Sequence, residues 1–270
     1  MRMIRTGLLT LVGLSMLVGC DGRISSSRSP FDIQRLTYFR QTDEPTVIEV
    51  ALPVAIDVES FGGDVFINVD AELEVATVTV RRVATHGPQR KEEAELSLAE
   101  IDYRVEVVPG QLGQVLRVRT WTTHAEPHFQ RADVRIDVPA VDGVFIRTER
   151  GDVVAINIEG VVDIANNRGD VRIMTNRAMR RKVTIINSEG DIEYRVRGES
   201  TGIFDCIAEG GKVDHHVSFG KFTIAPSRRK GRLQAALNNG DNVVMLHTED
   251  GNIKIAVVAN PTDIGTSIFP

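Results

Sequence analysis

The sequence predicts an all-β fold: a repetitive β-solenoid (β-helix-like) or a stacked-sheet array of strand–turn–strand units, each about 20 residues long. Three observations predict it. First, Gly63, Gly151, Gly169, Gly190, Gly211, Gly231 and Gly251 share one register. Two residues after each glycine stands an apolar residue: Val65, Val153, Val171, Ile192, Val213, Leu233 and Ile253. Seven residues before each stands another: Ile56, Val144, Val162, Val183, Phe204, Ile224 and Val244. Second, from Gly151 onward the glycines recur every 18 to 21 residues. A fixed period near 20 marks stacked units that cannot bury their faces alone. Third, aromatic residues make up only 5% of the chain, so rows of small β-branched side chains must fill the core.

The first element, residues 1–19, reads as a targeting segment. Arg2 and Arg5 are basic, and Leu8 to Val18 is an apolar run too short to span a bilayer comfortably. The segment ends Leu17-Val18-Gly19-Cys20, which resembles a bacterial lipobox. That resemblance implies signal cleavage between Gly19 and Cys20 and a diacylglycerol thioether on Cys20. Acyl chains hold a protein to a membrane at about 0.8 kcal/mol per buried CH₂. Asp21 resembles an inner-membrane retention signal of enteric-type bacteria. The expected location is therefore the bacterial cell envelope, lipid-anchored and extracytoplasmic, at the periplasmic face of the inner membrane or otherwise at the outer membrane. Cleavage removes Arg2 and Arg5 and leaves 30 Lys and Arg against 37 Asp and Glu. An acidic chain of this kind lacks the basic stripe of a nucleic-acid binder. Residues 20–45, the lipidated cysteine and a polar stretch, read as a flexible tether.

Residues 46–140 form an N-terminal β region. Ala55 to Ser60 alternates like a half-buried strand, and Gly62-Gly63-Asp64 turns the chain into Val65 to Val69. Between Gly63 and Gly151 lies an insert. Val75 to Val83, Tyr103 to Val108, Val115 to Trp121 and Ala132 to Val138 alternate with period two, while Lys91 to Glu100 favours a short helix. The insert is expected to be mostly antiparallel and to extend or cap the array. Residues 141–259 are the repeat array itself. Residues 260–270, with Ile264, Ile268 and Phe269, are expected to cover its other end and protect it from edge pairing.

Glycine suits the turns because positive φ is cheap there, and the following Asp64, Asp152, Asp170 and Asp191 suit turn hydrogen bonds. Stacking brings Asp152, Asp170 and Asp191 into a row. The row reads either as a calcium site or as an ion-pair ladder with Arg150, Arg168, Lys212, Lys230 and Arg232; the ladder is favoured, because the calcium-binding nonapeptide pattern is missing. Arg150-Gly151-Asp152 and Arg168-Gly169-Asp170 spell an integrin-binding tripeptide, but both are repeat turns with an arginine in front. His124 and His128 offer two metal ligands without a third, and Asp214, His215 and His216 point to opposite faces of a strand. Cys206 stands in an apolar column and reads as a small core residue. With Cys20 lipidated it has no disulfide partner. No nucleophile elbow, phosphate loop or distinctive carboxylate pair appears. No catalytic residue, metal or cofactor is expected.

The chain resembles the DUF4097 family of adhesin-like β-strand repeat proteins. The resemblance rests on Gly63-Asp64-Val65, on Ala132 to Pro139, and on Val144 to Val153, Arg168 to Val171 and Ser188 to Ile192. It covers about residues 46–258. Lys212, Arg232 and Asn252 depart from the turn aspartate. The resemblance implies a β-repeat fold and carries no catalytic residues. The function it supports is a non-catalytic envelope protein that presents a β surface for interaction: adhesin-like, scaffolding or stress-related. Its partner would be an envelope protein or polysaccharide, and the membrane would be reached through Cys20. The alternative is a carbohydrate-active enzyme on a β-helix scaffold, which needs carboxylates converging on one face.

Overall fold

A computed structural model describes residues 38–110, 113–227 and 229–263. Gly19, Cys20, the signal segment, most of the expected tether and the end of the tail lie outside the described residues. The strands run β1 (Tyr38–Thr42), β2 (Thr46–Ile48), β3 (Val54–Ser60), β4 (Val65–Val69) and β5 (Ala76–Thr85). A short helix α1 (Lys91–Ser97) follows, then β6 (Ile101–Pro109), β7 (Gln114–Thr122) and β8 (Gln130–Val138). The array continues through β9 (Val141–Thr148), β10 (Val153–Ile156), β11 (Val162–Arg168), β12 (Val171–Thr175), β13 (Val183–Glu189) and β14 (Ile192–Arg197). It ends with β15 (Gly202–Ala208), β16 (Val213–Val217), β17 (Phe222–Ile224), β18 (Arg232–Leu237), β19 (Val243–Asp250) and β20 (Ile253–Val258). Among the described residues no helix is long and apolar enough to cross a membrane.

These strands form two sheets. The first runs β1-β5-β8-β4-β10-β12-β14-β20-β16, with β2 also on β5; the second runs β17-β18-β15-β19-β13-β11-β9-β3-β7-β6. Each coil passes from a strand of the second sheet, through a glycine turn, to a strand of the first. Coils stack in parallel, which makes the fold β-solenoid-like. The apolar columns of the sequence become rows across the sheets. Ile56, Val144, Val162, Val183, Val244 and Phe204 pair in register, as do Val65, Val153, Val171, Ile192, Ile253 and Val213. Most of these side chains are wholly buried. Each buried Val or Ile contributes about 1.5–3 kcal/mol. Tyr194 and Phe204 meet edge-to-face at 6.1 Å between ring centroids.

The stacking order differs from the chain order. The last coil, β19–β20, lies between β13–β14 and β15–β16, and the first, β3–β4, lies between β7–β8 and β9–β10. Two readings of the repeat therefore change. Gly231 is not a coil turn: β17 and β18 pair antiparallel, and β18 runs antiparallel to β15 in the second sheet. Leu233 thus sits opposite Cys206, in a row of the other sheet from the one its column predicts. The reason is that an apolar–x–apolar run satisfies an antiparallel edge as well as a coil. Conversely, the insert hides a coil. Leu116 and Val118 pair with Ile56 and Val58, and Val134 and Ile136 pair with Val65 and Ile67, all in parallel. The rest of the insert is antiparallel: β5 on β8 and β6 on β7. Of the tail, Ile264, Ile268 and Phe269 lie outside the described residues, and only its start is seen. Asn176 donates to Thr262 Oγ1, and Arg195 Nη2 donates to the Asp263 carbonyl at 2.8 Å. Arg195 lies on β14 and Asn176 just past β12.

Candidate functional site

Three places on this scaffold hold polar chemistry: the glycine-turn edge, the cap above it, and the opposite edge with the adjoining outer face.

At the turn edge the glycines lie on one another. A Cβ on Gly169 would stand 2.3 Å from the Gly151 carbonyl oxygen, and one on Gly190 2.3 Å from that of Gly169. The column runs Gly63, Gly151, Gly169, Gly190, Gly251, Gly211, each against the carbonyl of the one before. Close approach, as much as positive φ, therefore demands glycine. The next column is a ladder of side chain to backbone bonds. Asp64 N–H donates to Asp133 Oδ1 at 3.1 Å, Asp152 N–H to Asp64 at 3.0 Å, and Asp170 N–H to Asp152 at 2.9 Å. Asp191 N–H donates to Asp170 at 2.9 Å, Asn252 N–H to Asp191 at 2.8 Å and Lys212 N–H to Asn252 at 3.3 Å. This corrects the expected ion-pair ladder, because the next coil's amide offsets each carboxylate. Of Asp64, Asp152, Asp170 and Asp191, only Asp191 also has a cation beside it, Lys254 at 3.4 Å, among the described residues. Arg150 instead donates to the Pro127 and Gln130 carbonyls, and Arg168 pairs with Glu189 at 2.7 Å. Neither arginine is presented as part of an Arg-Gly-Asp loop. At Asp191 burial pushes the carboxyl up, but the Asn252 hydrogen bonds and Lys254 outweigh it and hold the group below its usual range. Beneath the ladder lies a column that the apolar pattern does not reveal. Buried Asn166, Asn187 and Thr248 donate to carbonyls of Gly169 and Gly190 at 2.9 to 3.0 Å.

At the cap the β7–β8 turn is replaced by a longer segment carrying His124, Glu126, His128 and Phe129. It meets the β5–β6 crossing, which carries His86 and α1. His86 Nε2 lies 3.3 Å from His124 Nε2, and Glu93 Oε1 lies 3.9 Å from the same nitrogen. The three ligand atoms are mutually within 4.8 Å. His86 is buried, and its Nδ1 has no hydrogen-bond partner. Burial, reinforced by His124 and Arg90, holds its imidazole below the usual range. Glu126 N–H donates to His124 Nδ1 at 3.0 Å. The sequence pair His124 and His128 is thus separated: His128 stacks on Phe129 at 4.0 Å between centroids, and His86, 38 residues from His124, takes its place. His215 and His216 are exposed on β16, with His216 Nε2 2.8 Å from Ser218 Oγ. Cys206 is fully buried, and burial pushes its thiol well up, which leaves it unreactive.

At the opposite edge the chain returns from the first sheet to the second without a repeated turn. Three adjoining hollows of about 610, 560 and 430 Å³ run along it, and Asp142 lines all three. One end is apolar, with Leu52, Pro53, Val115 and Phe145; the other holds Arg177, Arg180, Arg181 and Arg197. Phe145 also belongs to the outer face of the second sheet. There Phe145, Ile186, Ile203, Val243 and Met245 are 37 to 50% exposed on β9, β13, β15 and β19. Near the turn edge of that face a cleft of about 550 Å³ is lined by Phe61, Arg119, Trp121, Arg147, Glu149 and Asn167. Asp57 anchors the face. Burial raises its carboxyl, but Arg119 at 2.8 Å and Arg117 at 3.1 Å bring it below the usual range.

A family model described as Toastrack DUF4097 matches residues 55–256. No curated protein matches the chain. Among solved structures, a "putative cell adhesion protein" from Clostridium sporogenes is similar over 82% of this chain and 100% of its own, at 12% identity and a TM-score of 0.55. A "putative adhesin" from Bacteroides fragilis matches over 82% of this chain and 97% of its own, at 10% identity and a TM-score of 0.27. The likeness to the Clostridium protein is one of fold.

Proposed function

The chain belongs to the Toastrack DUF4097 family, and on that premise we propose that it is a non-catalytic, adhesin-like protein of the bacterial envelope. It binds through the outer face of the second sheet and is anchored by a lipid on Cys20. One observation carries the reading: Ile186, Ile203, Val243 and Met245 stand solvent-exposed on the neighbouring strands β13, β19 and β15 of that face, with Phe145 two strands from β13 on β9. Exposed apolar groups clustered on an otherwise satisfied sheet mark an interaction surface. The cell-adhesion name of the Clostridium neighbour supports the same role. Trp121 and Phe61, set among arginines and Asn167, suit an envelope polysaccharide, whose sugar rings stack on aromatic faces and whose hydroxyls take polar partners. The Cys20 anchor holds this face at the periplasmic side of the inner membrane when Asp21 acts as a retention signal, and at the outer membrane otherwise.

The test is binding of the purified chain to immobilised envelope polysaccharides and to whole cells. Met245→Asp and Ile186→Asp place charge on the face without touching the core. They are expected to weaken binding by about tenfold or more, the cost of burying an unpaired charge, with unchanged thermal stability. An unaltered chain that binds neither target, or variants that bind equally well, would falsify the assignment of this face. The anchor is tested by labelled-palmitate incorporation, which Cys20→Ser should abolish.

A second reading has one specific observation in its favour. Asp142 and Glu159 share a hollow with Arg177 and Arg181, the residue types of polysaccharide cleavage. Release of oligosaccharides from an envelope polymer, lost in Asp142→Asn, would establish that reading and displace the first.

A further inference from the structure

We propose that His86, Glu93 and His124 form a zinc site that staples together the two chain crossings of the cap. The donors come from three separate places: the end of β5, helix α1 and the β7–β8 segment. Two zinc–nitrogen bonds of about 2.0–2.1 Å at the tetrahedral angle hold the nitrogens about 3.3–3.4 Å apart. The observed Nε2–Nε2 separation is 3.3 Å. Glu93 Oε1, at 3.9 Å from His124 Nε2, closes the third position with a small movement of an exposed carboxylate. The fourth position is left to water, and two imidazoles with one carboxylate are a zinc donor set.

Protons alone serve this pair badly. His124 Nδ1 accepts from the Glu126 amide, so a neutral His124 carries its proton on Nε2 and donates it to His86. The proton of His86 then sits on Nδ1, which is buried without an acceptor. On zinc that proton stays where it is; the change is at the paired Nε2 atoms, where the ion takes a lone pair from each ring in place of one shared proton. Zinc binding would move the His124 proton to Nδ1 and release the Glu126 amide, so that amide reports on loading. The surroundings hold both crossings in place. Arg90 pairs with Glu93 at 2.5 Å and with Glu126; Glu93 can keep this bond while ligating, as metal-bound carboxylates commonly do. Gln130 Nε2 donates to the Ser97 carbonyl at 2.7 Å, tying β8 to the end of α1.

The full chain, without a histidine tag, would be purified in detergent, stripped with a chelator, and titrated with Zn²⁺ against a chromophoric competitor. Co²⁺ serves as the spectroscopic probe. The expected result is one zinc per chain, the intense visible d–d bands of tetrahedral cobalt, and a shift of the Glu126 amide resonance. Removing a ligand should cost at least as much as removing an outer-shell partner, about 10–100-fold in affinity. His124→Ala and Glu93→Gln should therefore both bind that much more weakly, and His128→Ala should bind like the unaltered chain. Glu93 lies on the exposed side of α1, so Glu93→Gln decides the matter should His124→Ala fail to fold. Absence of stoichiometric zinc binding by the unaltered chain, or affinity retained in the folded ligand variants, overturns the site.

Discussion

The two edges of the stack solve the same problem, carrying the chain between sheets, in opposite ways. At the turn edge the coils from β3–β4 to β19–β20 share one short device: glycine against the carbonyl of the coil below, then an acidic or amide side chain that accepts the next coil's amide. At the return edge no two crossings are alike, and the three hollows open there. Repetition leaves little room for a ligand, because each amide of the ladder is already spent on its neighbour. Irregularity leaves backbone and side chains with capacity to spare. The solenoid's regular edge holds shape, and its irregular edge is where a ligand finds space.

The sharpest way to break this contrast is Gly169→Ala. Its φ is +124° and its Cβ would meet a backbone oxygen at 2.3 Å, which cannot move without shifting a whole coil. A loss of about 4 kcal/mol or more is expected in urea unfolding; a near-neutral result would mean that the turn edge is softer than its geometry. Asp152→Ala should cost about 1 kcal/mol by removing the acceptor of the Asp170 amide. Asp152→Asn should recover most of that, since Asn252 serves natively in the same ladder. An Asn variant no better than Ala would point to charge, not hydrogen bonding, as the source of the effect.

Acid provides a finer probe. The Asp57 and Asp191 carboxyls lie below their usual range in the folded chain. Each therefore adds stability above the unfolded value of about 3.9, lost as pH falls through the lower folded value. Urea midpoints should fall in that window, and Asp191→Asn should flatten the decline; an unchanged slope would remove Asp191 from the account. The smallest effect belongs to the return edge. Exposed Arg180→Ala should change stability by less than about 0.5 kcal/mol, while weakening any anionic ligand of the hollow measured by calorimetry. A large stability loss there would erase the distinction between the edges.

Much of the fold is legible because burial enforces period. Ile56, Val144, Val162, Val183 and Val244 had to be apolar to share one row, so their column reads directly. Coil order is not legible, since every coil offers the same columns to any neighbour and nothing local tells β19 to choose β13 and β15. Gly231 misleads for the same reason: Leu233 and Ala235 are equally apolar in either sheet. The ladder aspartates were visible, but their acceptor role depends on how one coil sits over the next. His86 escaped notice because its partner lies on another crossing, and no spacing rule joins residues brought together only by the cap. The return-edge residues follow no repeat, so Asp142 and Arg177 carry no sequence signal.

The interleaved coils also bear on how the molecule is made. In a sequential solenoid each new turn adds to the growing end, so a partial chain is already a shorter version of the whole. Here β19 and β20, made after every other described strand, belong in the interior, between coils completed earlier. A nascent chain that stops before Val243 would leave two blocks with facing open edges and nothing to join them. Assembly therefore waits for β19 and β20, through contacts of long sequence separation that form slowly. Until the β19–β20 coil arrives, the stack stays open in its middle.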